Sequence, residues 1–98
     1  MTHALRVRPK ARIDLADAAR WYEAQRTGLG RQFIDEVEAV FATVARQPLL
    51  CAEIYRGARR ALLRSFPFGN YYRIAGNDVS VIAVLHTSRH PDRWMIRE

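Results

Sequence analysis

The feature that most constrains the fold is a series of three short β-forming runs in the second half of the chain. They span Ala58–Phe66, Phe68–Ile74 and Val79–Leu85, and they are separated by Pro67 and by an Ala-Gly-Asn-Asp turn. Runs of this length with turn residues between them are typical of a β-meander. The last run is apolar on both alternating faces, which predicts the central strand of the sheet, covered on both sides.

The first half of the chain predicts one short strand and two helices. Ala4–Arg8 alternates apolar and basic residues, as an edge strand does. Apolar residues recur at helical intervals over Lys10–Arg26 and Arg31–Gln47, and a glycine-containing turn joins the two segments into an αα-hairpin. Residues 1–98 are therefore predicted to form a single α+β domain of order β-α-α-β-β-β, with the hairpin packed on a small antiparallel sheet.

Finer predictions concern the helical hairpin. Asp14 and Asp17 lie early in the first helix and Arg20 and Arg26 late, an order that suits the helix dipole. Trp21 stands beside the first apolar stripe and is predicted to be a core residue. On the second helix, the apolar stripe is expected in the core, and the predicted wet side carries Asp35, Glu36 and Glu38.

Positive charge is the most informative aspect of the composition. The chain has 16 Lys and Arg against 10 Asp and Glu, a net charge of +6, which favours RNA, DNA or an acidic protein as partner. Every cation except Lys10 is an arginine, which suits phosphate and carboxylate recognition, although genomic codon bias explains the same count. Because Ile54–Asn77 contains no carboxylate, we expect a basic sheet surface and an acidic helical back.

Several classes of site are excluded by composition. Cys51 is the only cysteine, so neither an intrachain disulfide nor a Cys-based zinc site can form. His86 and His90 do not indicate a zinc site either, because His3 is far away in sequence and Cys51 lies in an unrelated loop. The N-terminus lacks the apolar segment of a signal peptide, and no apolar run approaches the ~20 residues of a membrane span. The expectation is a soluble, cytoplasmic protein without metal, cofactor or membrane contact.

A polar cluster follows the last predicted strand. His86, Arg89 and His90, together with Arg60, are the candidate catalytic residues, because an imidazole titrates near pH ~6.5 and can act as base or acid. The simpler interpretation is that the histidines are hydrogen-bonded at a strand end, and contact with a partner is a third alternative.

Arginines on the first two predicted strands are the candidate binding residues. Alternation puts Arg60 and Arg64 on one face with Leu62, and Arg59 on the other face, without indicating which face the helices cover. A solvated sheet face and a recognition surface are both consistent with this pattern. The candidates for contact with a target or a partner protein are Arg59, Arg60, Arg64, Arg73, Arg89, Arg93 and Trp94. Tyr71 and Tyr72 are interpreted as packing residues.

The joint order of these motifs resembles the RelE/ParE superfamily of toxins from bacterial type II toxin–antitoxin systems. The matching residues are Asp14-Leu15, Trp21-Tyr22-Glu23, Gly28-Leu29-Gly30 with Phe33, Tyr55-Arg56-Gly57, Arg59–Phe68, Tyr71–Ile74 and Val84–His86 with Arg89. The resemblance implies a cognate acidic antitoxin that holds the toxin inactive and through which operator DNA is bound. A homodimer and a toxin–antitoxin heterotetramer are both open.

The resemblance implies two different activities. RelE-like members are ribosome-dependent mRNA endonucleases, whereas ParE-like members inhibit DNA gyrase without chemistry of their own. Arg60 and Arg89 stand where two cations of the RelE-like site stand, but Leu62, Gly69 and Met95 replace its other functional groups. Cleavage through a 2′-hydroxyl needs proton transfer and charge stabilisation, so these losses favour the ParE-like branch.

The favoured expectation is therefore a plasmid stabilisation-like toxin that inhibits growth by binding gyrase and is not itself an enzyme. The first alternative is a metal-independent endoribonuclease acting on mRNA at the ribosome. In that case Arg60 and Arg89 would hold phosphate, and His86 or His90 would move protons. The second alternative is a non-toxic module that binds nucleic acid or a partner.

Overall fold

The computed structural model describes residues 3–88. Its elements are β1 Ala4–Val7, α1 Pro9–Gln25, α2 Leu29–Arg46, β2 Glu53–Tyr55, β3 Ala58–Leu62, β4 Phe68–Ala75 and β5 Asp78–His86. The α+β fold and the predicted order of elements are confirmed, with one addition. The three-residue strand β2 forms in a connection whose sequence shows no periodicity.

The five strands form one mixed sheet in the order β1-β5-β4-β3-β2. The meander from β3 to β5 is antiparallel, as predicted. β1 lies at the sheet edge, also as predicted, but it runs parallel to β5, from Ala4 beside Asp78 to Val7 beside Val81. β4 is the middle strand, and β5 is interior between β1 and β4, so the prediction that β5 is central is wrong by one position.

The main core lies between the helical hairpin and the sheet. Phe33 and Val37 of α2 are fully buried in it, which confirms the predicted apolar stripe. Four aromatic side chains pack together there, with ring centroids 4.8–5.9 Å apart: Tyr22, Phe33, Phe66 and Phe68. Burying each such side chain stabilises the fold by roughly 1.5–3 kcal/mol, so this cluster fixes the hairpin on the sheet.

Trp21 is not a core residue, contrary to the prediction. It is 60% exposed and packs edge-on against Tyr22, with ring centroids 5.1 Å apart. Successive residues of an α-helix point about 100° apart, and here only one of these two large neighbours faces the sheet. Tyr22 takes the inward position.

The predicted match between charge order and helix dipole is also wrong. α1 begins at Pro9, its first turn has no acidic residue, and its last turn has no basic residue. Asp14 instead reaches the sheet, where its carboxylate accepts a hydrogen bond from the Val84 N–H at 3.1 Å. β1 ends beside Val81, so within residues 3–88 no strand pairs with β5 on that side beyond this point, and Asp14 provides an acceptor for the Val84 N–H instead.

Two other carboxylates, Glu23 and Glu53, also bind backbone N–H groups. Glu23 accepts hydrogen bonds from Gly28 and Gly30 at 3.0–3.1 Å, which ties the α1–α2 turn to α1. Glu53 accepts from the Gly57 N–H at 3.1 Å in the β2–β3 turn. The acidic helical back expected from sequence is therefore partly a set of internal hydrogen-bond acceptors.

Neither helix between residues 3 and 88 combines the length and apolar character needed to cross a bilayer.

Candidate functional site

The two faces of the sheet differ in what covers them. Cross-strand neighbours share a face, and Ala61, Tyr72 and Val79 belong to the core under the helices. Tyr71 and Ile82 belong to a second buried cluster and point to the opposite face. We call that opposite side, the one turned away from α1 and α2, the outer face.

Burial on both sides is confirmed for β5. Val79, Val81 and Val84 pack under the helices, whereas Ile82 and Ala83 are buried on the outer face. The pairing shifts register opposite Tyr71 and Tyr72, so consecutive residues Ile82 and Ala83 both serve the outer cluster. Both tyrosines are buried, as expected for packing residues.

Arg59 is placed on the helix-covered side and does not join the other arginines. Its guanidinium Nη1 donates to the Cys51 carbonyl at 2.6 Å. Beside it, the Tyr72 hydroxyl donates to the Pro48 carbonyl at 2.7 Å. Burial raises the pKa of the Tyr72 hydroxyl above its ordinary value, and interaction with the Cys51 side chain raises it further. Arg59 and Tyr72 therefore fix the connection after α2.

Arg60 lies on the outer face and extends across Gly69. A Cβ atom at Gly69 would stand 2.9 Å from Arg60 Cγ, so only glycine lets the arginine stem lie this close to the strand. Leu62, two residues along β3, is 53% exposed on the same face. Arg60 and Leu62 together offer a cation beside an exposed apolar side chain.

Arg73 is on the outer face as well, but its guanidinium is engaged within the fold. Its Nη1 donates to the Arg56 carbonyl in the β2–β3 turn. Gly57 in this turn has φ +84°, and a Cβ there would lie 2.7 Å from Arg73 Nη1. Arg73 therefore holds the β2–β3 turn against β4.

Arg64 lies beyond the end of β3, which stops at Leu62 and not at Phe66 as predicted. Glu36 of α2 accepts hydrogen bonds from the Arg64 and Ser65 N–H groups at 2.6 and 2.8 Å, which draws the chain away from strand pairing. Burial alone would raise the Glu36 pKa, but these hydrogen bonds and the Arg64 charge outweigh it and lower the pKa below its ordinary value. Glu36 is thus half-buried, against the prediction of a wet side, and the Arg64 side chain is exposed.

His86 ends β5 on the helix-covered side. Its ring packs against Phe68, with centroids 5.5 Å apart, and it shares a groove with Asp14 and Asp17 of α1. The Ser88 N–H donates to His86 Nδ1 at 3.1 Å. In the neutral ring the proton then sits on Nε2, which makes that nitrogen a donor and not a base.

The predicted catalytic set is therefore divided by the sheet. Arg60 points to the outer face and His86 to the face covered by α1, so the two cannot act on one phosphate from these positions. The remaining candidates lie outside the described residues 3–88: Arg89, His90, Arg93 and Trp94. Between residues 3 and 88, no three His, Cys, Asp or Glu side chains are grouped as metal ligands would be.

Sequence reasoning missed two features of the outer face. A cavity of about 480 Å³ lies at the end of the sheet where β1 meets α1, and it is lined in part by Arg8, Lys10 and Arg73. The sequence signal for the cavity is the group of basic residues around Pro9, namely Arg6, Arg8 and Lys10, of which the edge-strand alternation explains only the first two. The use of Gly69 to seat Arg60 had no signal, because it depends on cross-strand register.

Comparison with known proteins identifies a matching family and two structural relatives. The family model described as the ParE toxin of type II toxin–antitoxin system parDE matches residues 5–91. One chain of the chromosomal ParDE toxin–antitoxin system from P. aeruginosa is similar at 16% identity and a TM-score of 0.66, over 87% of this chain and 96% of that chain.

A second structural relative comes from the toxin–antitoxin complex RelBE2 of Mycobacterium tuberculosis. The similarity is 23% identity with a TM-score of 0.63, over 88% of this chain and 99% of that chain. At such identities the two structures establish the fold. No curated protein matches the chain.

The family match covers every helix and strand described above except Ala4, the first residue of β1. The motifs that resemble the superfamily hold this fold together: Glu23 binds the glycines of the α1–α2 turn, and Arg73 binds the turn that contains Arg56 and Gly57. The chain belongs to the ParE toxin family of type II toxin–antitoxin systems, within the RelE/ParE superfamily.

Proposed function

We propose that this chain inhibits growth by binding DNA gyrase, without cleaving RNA, and that a cognate acidic antitoxin neutralises it. The observation that carries the proposal is the separation of Arg60 and His86 by the sheet. A phosphate held by Arg60 is out of reach of the imidazole, and that imidazole has Nδ1 occupied by the Ser88 N–H. General acid–base cleavage needs both groups on one substrate.

The proposed target-binding region is the end of the outer face around Arg60, Leu62 and Arg64. Arg60 offers a guanidinium, Leu62 is 53% exposed, and the Arg64 side chain is exposed beside them. A cation next to an exposed apolar group suits a protein surface, because interfaces combine apolar contact with arginine hydrogen bonds. The sequence has no carboxylate between Ile54 and Asn77, and the nearby Glu36 carboxylate of α2 is occupied by the Arg64 and Ser65 N–H groups.

Antitoxin neutralisation is proposed on the family membership and on charge. The structural relatives are toxin–antitoxin complexes by name. This chain carries a net charge of +6, which favours an acidic partner through long-range attraction.

The experiment that tests the proposal is induction of the chain in cells without its antitoxin. We expect growth arrest, relaxed or damaged chromosomal DNA, and intact mRNA 5′ ends. Codon-positioned mRNA cuts with normal DNA topology would establish the RelE-like alternative. Unaffected growth at verified expression would leave the non-toxic binding module.

A further inference from the structure

The cavity of about 480 Å³ on the outer face has a mixed chemical character. Three cationic residues, Arg8, Lys10 and Arg73, contribute to its lining. The other lining groups include Ala75 and Ile82, which are apolar, and Ser80, which offers a hydroxyl. The cavity can therefore receive an apolar side chain and hold negative charge at its rim.

Charge around the cavity is strongly one-sided. Among the described residues, no carboxylate lines it. Arg6 adds a fourth cation on the same face, because it pairs with Ser80 in the β1–β5 ladder. The nearest carboxylate in register is Asp78, at the start of β5, which shares the face but does not line the cavity. Within residues 3–88, the exposed cations on this side are Arg6, Arg8 and Lys10, against the single carboxylate of Asp78, and this balance favours an acidic occupant.

Two other classes of occupant fit less well. A nucleic-acid phosphate would pair with the arginines but leave the apolar groups at Ala75 and Ile82 unfilled. A purely apolar segment would cover Arg8 and Lys10 without providing partners, which is costly. An acidic peptide segment with one apolar side chain satisfies both parts of the lining.

The cavity is well separated from the proposed target-binding region. Gly69, beneath Arg60, and Ala75, in the cavity wall, lie six residues apart on β4, which corresponds to about 20 Å along a strand. A segment held in the cavity would not by itself cover Arg60 or Leu62. The two surfaces can therefore be altered independently.

We propose that this cavity anchors the antitoxin, by receiving one apolar side chain of an acidic segment while Arg8 and Lys10 pair with its flanking carboxylates. The inference rests on the proposed function, because it requires that an antitoxin binds the chain. It assigns antitoxin affinity to the Arg8–Lys10 end of the outer face and toxicity to the Arg60–Leu62 end.

The first test compares the affinity of the full-length chain for its cognate antitoxin in charge-reversed variants. The double variant Arg8→Glu/Lys10→Glu should bind roughly 30-fold or more weakly and lose much of its salt dependence. The matched control is Arg26→Glu/Arg31→Glu, which makes the same charge change where α1 ends and α2 begins, about 24 Å away along α1; of the two, Arg31 has only an exposed ion pair with Asp35 to lose. The control should stay within about threefold of the wild type.

Folding does not confound this comparison. Arg8 and Lys10 are exposed, and carboxylates at the start of α1 suit the helix dipole better than the native cations do. We therefore expect the double variant to be folded and toxic but no longer rescued by the antitoxin. The growth assay reports toxicity and rescue separately.

The second test locates the bound segment. In a Cys51→Ser background, Ala75→Cys puts a thiol on the cavity wall, and Ala24→Cys puts one on the exposed side of α1. Antitoxin should slow alkylation at position 75 at least tenfold and leave position 24 unchanged. Equal alkylation at position 75 with and without antitoxin would overturn the inference.

The outcomes separate the inference from the proposed function. Tight wild-type binding with equal losses in the cavity variant and the control variant would overturn the cavity assignment and leave neutralisation intact. Loss of binding to a double-stranded DNA oligonucleotide alone, with antitoxin binding unchanged, would assign the cavity to nucleic acid and also overturn the inference. A wild-type chain that binds no antitoxin would overturn both proposals.

Discussion

Arg60 and His86 lie on opposite faces of one sheet, Arg60 against Gly69 on the outer face and His86 against Phe68 beneath α1. In the sequence both residues belong to strands of the same meander, which predicts a shared site. The two residues nevertheless face opposite sides of the sheet, because side chains alternate along each strand and the register shifts in β5. This separation favours binding of a partner by the outer face over catalysis by Arg60 and His86 together.

The first prediction concerns His86. His86→Gln should leave toxicity within about twofold of the wild type, because the amide oxygen can accept from the Ser88 N–H as Nδ1 does. The measurement is the inducer level that halves growth rate, with circular dichroism to verify folding. A folded His86→Gln chain without toxicity would show that the imidazole has a chemical role.

The second prediction concerns a buried amide. Asn70 on β4 is fully buried, and neither amide atom has a hydrogen-bond partner within residues 3–88. Asn70→Val should therefore raise the free energy of unfolding by about 1–3 kcal/mol. Each 1 kcal/mol corresponds to a rise in Tm of about 4–8 °C for a domain of this size.

The matched control for this change is Asn77→Val. Asn77 lies exposed in the β4–β5 turn, so its replacement removes no buried amide and should bring no gain in stability. If Asn70→Val lowers Tm, the amide contributes a stabilising contact and the prediction is wrong.

The third prediction concerns pH and Glu36. Its folded-state pKa is lowered from the ordinary value of 4.5 because Ser65 and Arg64 donate to the carboxylate and the Arg64 charge stabilises it. The stabilisation is therefore fully present above about pH 4.5 and is lost as pH falls through the lower folded-state pKa. Glu36→Gln should cost about 1 kcal/mol at neutral pH, as loss of a charged backbone acceptor does at helix N-caps.

Urea unfolding of wild type and Glu36→Gln at several pH values measures this difference. The gap between the two should shrink toward zero at low pH. Glu38→Gln, an exposed change on the same helix, should show no such pH-dependent gap. A Glu36→Gln penalty that is constant with pH would contradict the assignment.

The fourth prediction concerns the contact between the helices. A Cβ at Gly30 would stand 2.6 Å from the Ala19 carbonyl oxygen and 3.1 Å from Glu23 Cβ. Gly30→Ala should therefore push α2 away from α1 and destabilise the fold by about 1–3 kcal/mol, despite the better helix propensity of alanine. Thermal unfolding checks this, and an unchanged or higher Tm would show that the hairpin tolerates the methyl group.

Much of the fold follows from local sequence patterns. The helices and the three meander strands appear because apolar residues recur with the period of each element, as Phe33 and Val37 do on α2. The parallel pairing of β1 with β5 does not appear, because it joins residues about 75 positions apart, such as Leu5 and Val79. Composition carries no information on strand direction.

The internal roles of charged residues were the least accessible from sequence. Asp14, Glu23 and Glu36 look like solvated helix positions, yet each accepts hydrogen bonds from backbone N–H groups. Arg59 and Arg73 look like surface cations, yet each donates to a backbone carbonyl. Tertiary packing determines such partners, so they cannot be read from the sequence. Of the arginines predicted to bind a partner, Arg59 and Arg73 are thus engaged within the fold.

Inhibition of DNA gyrase by this chain can be measured in a supercoiling assay with purified gyrase, relaxed plasmid and this chain. We predict that wild type and His86→Gln inhibit supercoiling alike and that Arg60→Glu inhibits at least about tenfold less, as expected for loss of a central interface arginine. Undiminished supercoiling at excess wild-type chain, or equal inhibition by Arg60→Glu, would contradict gyrase binding through the outer face.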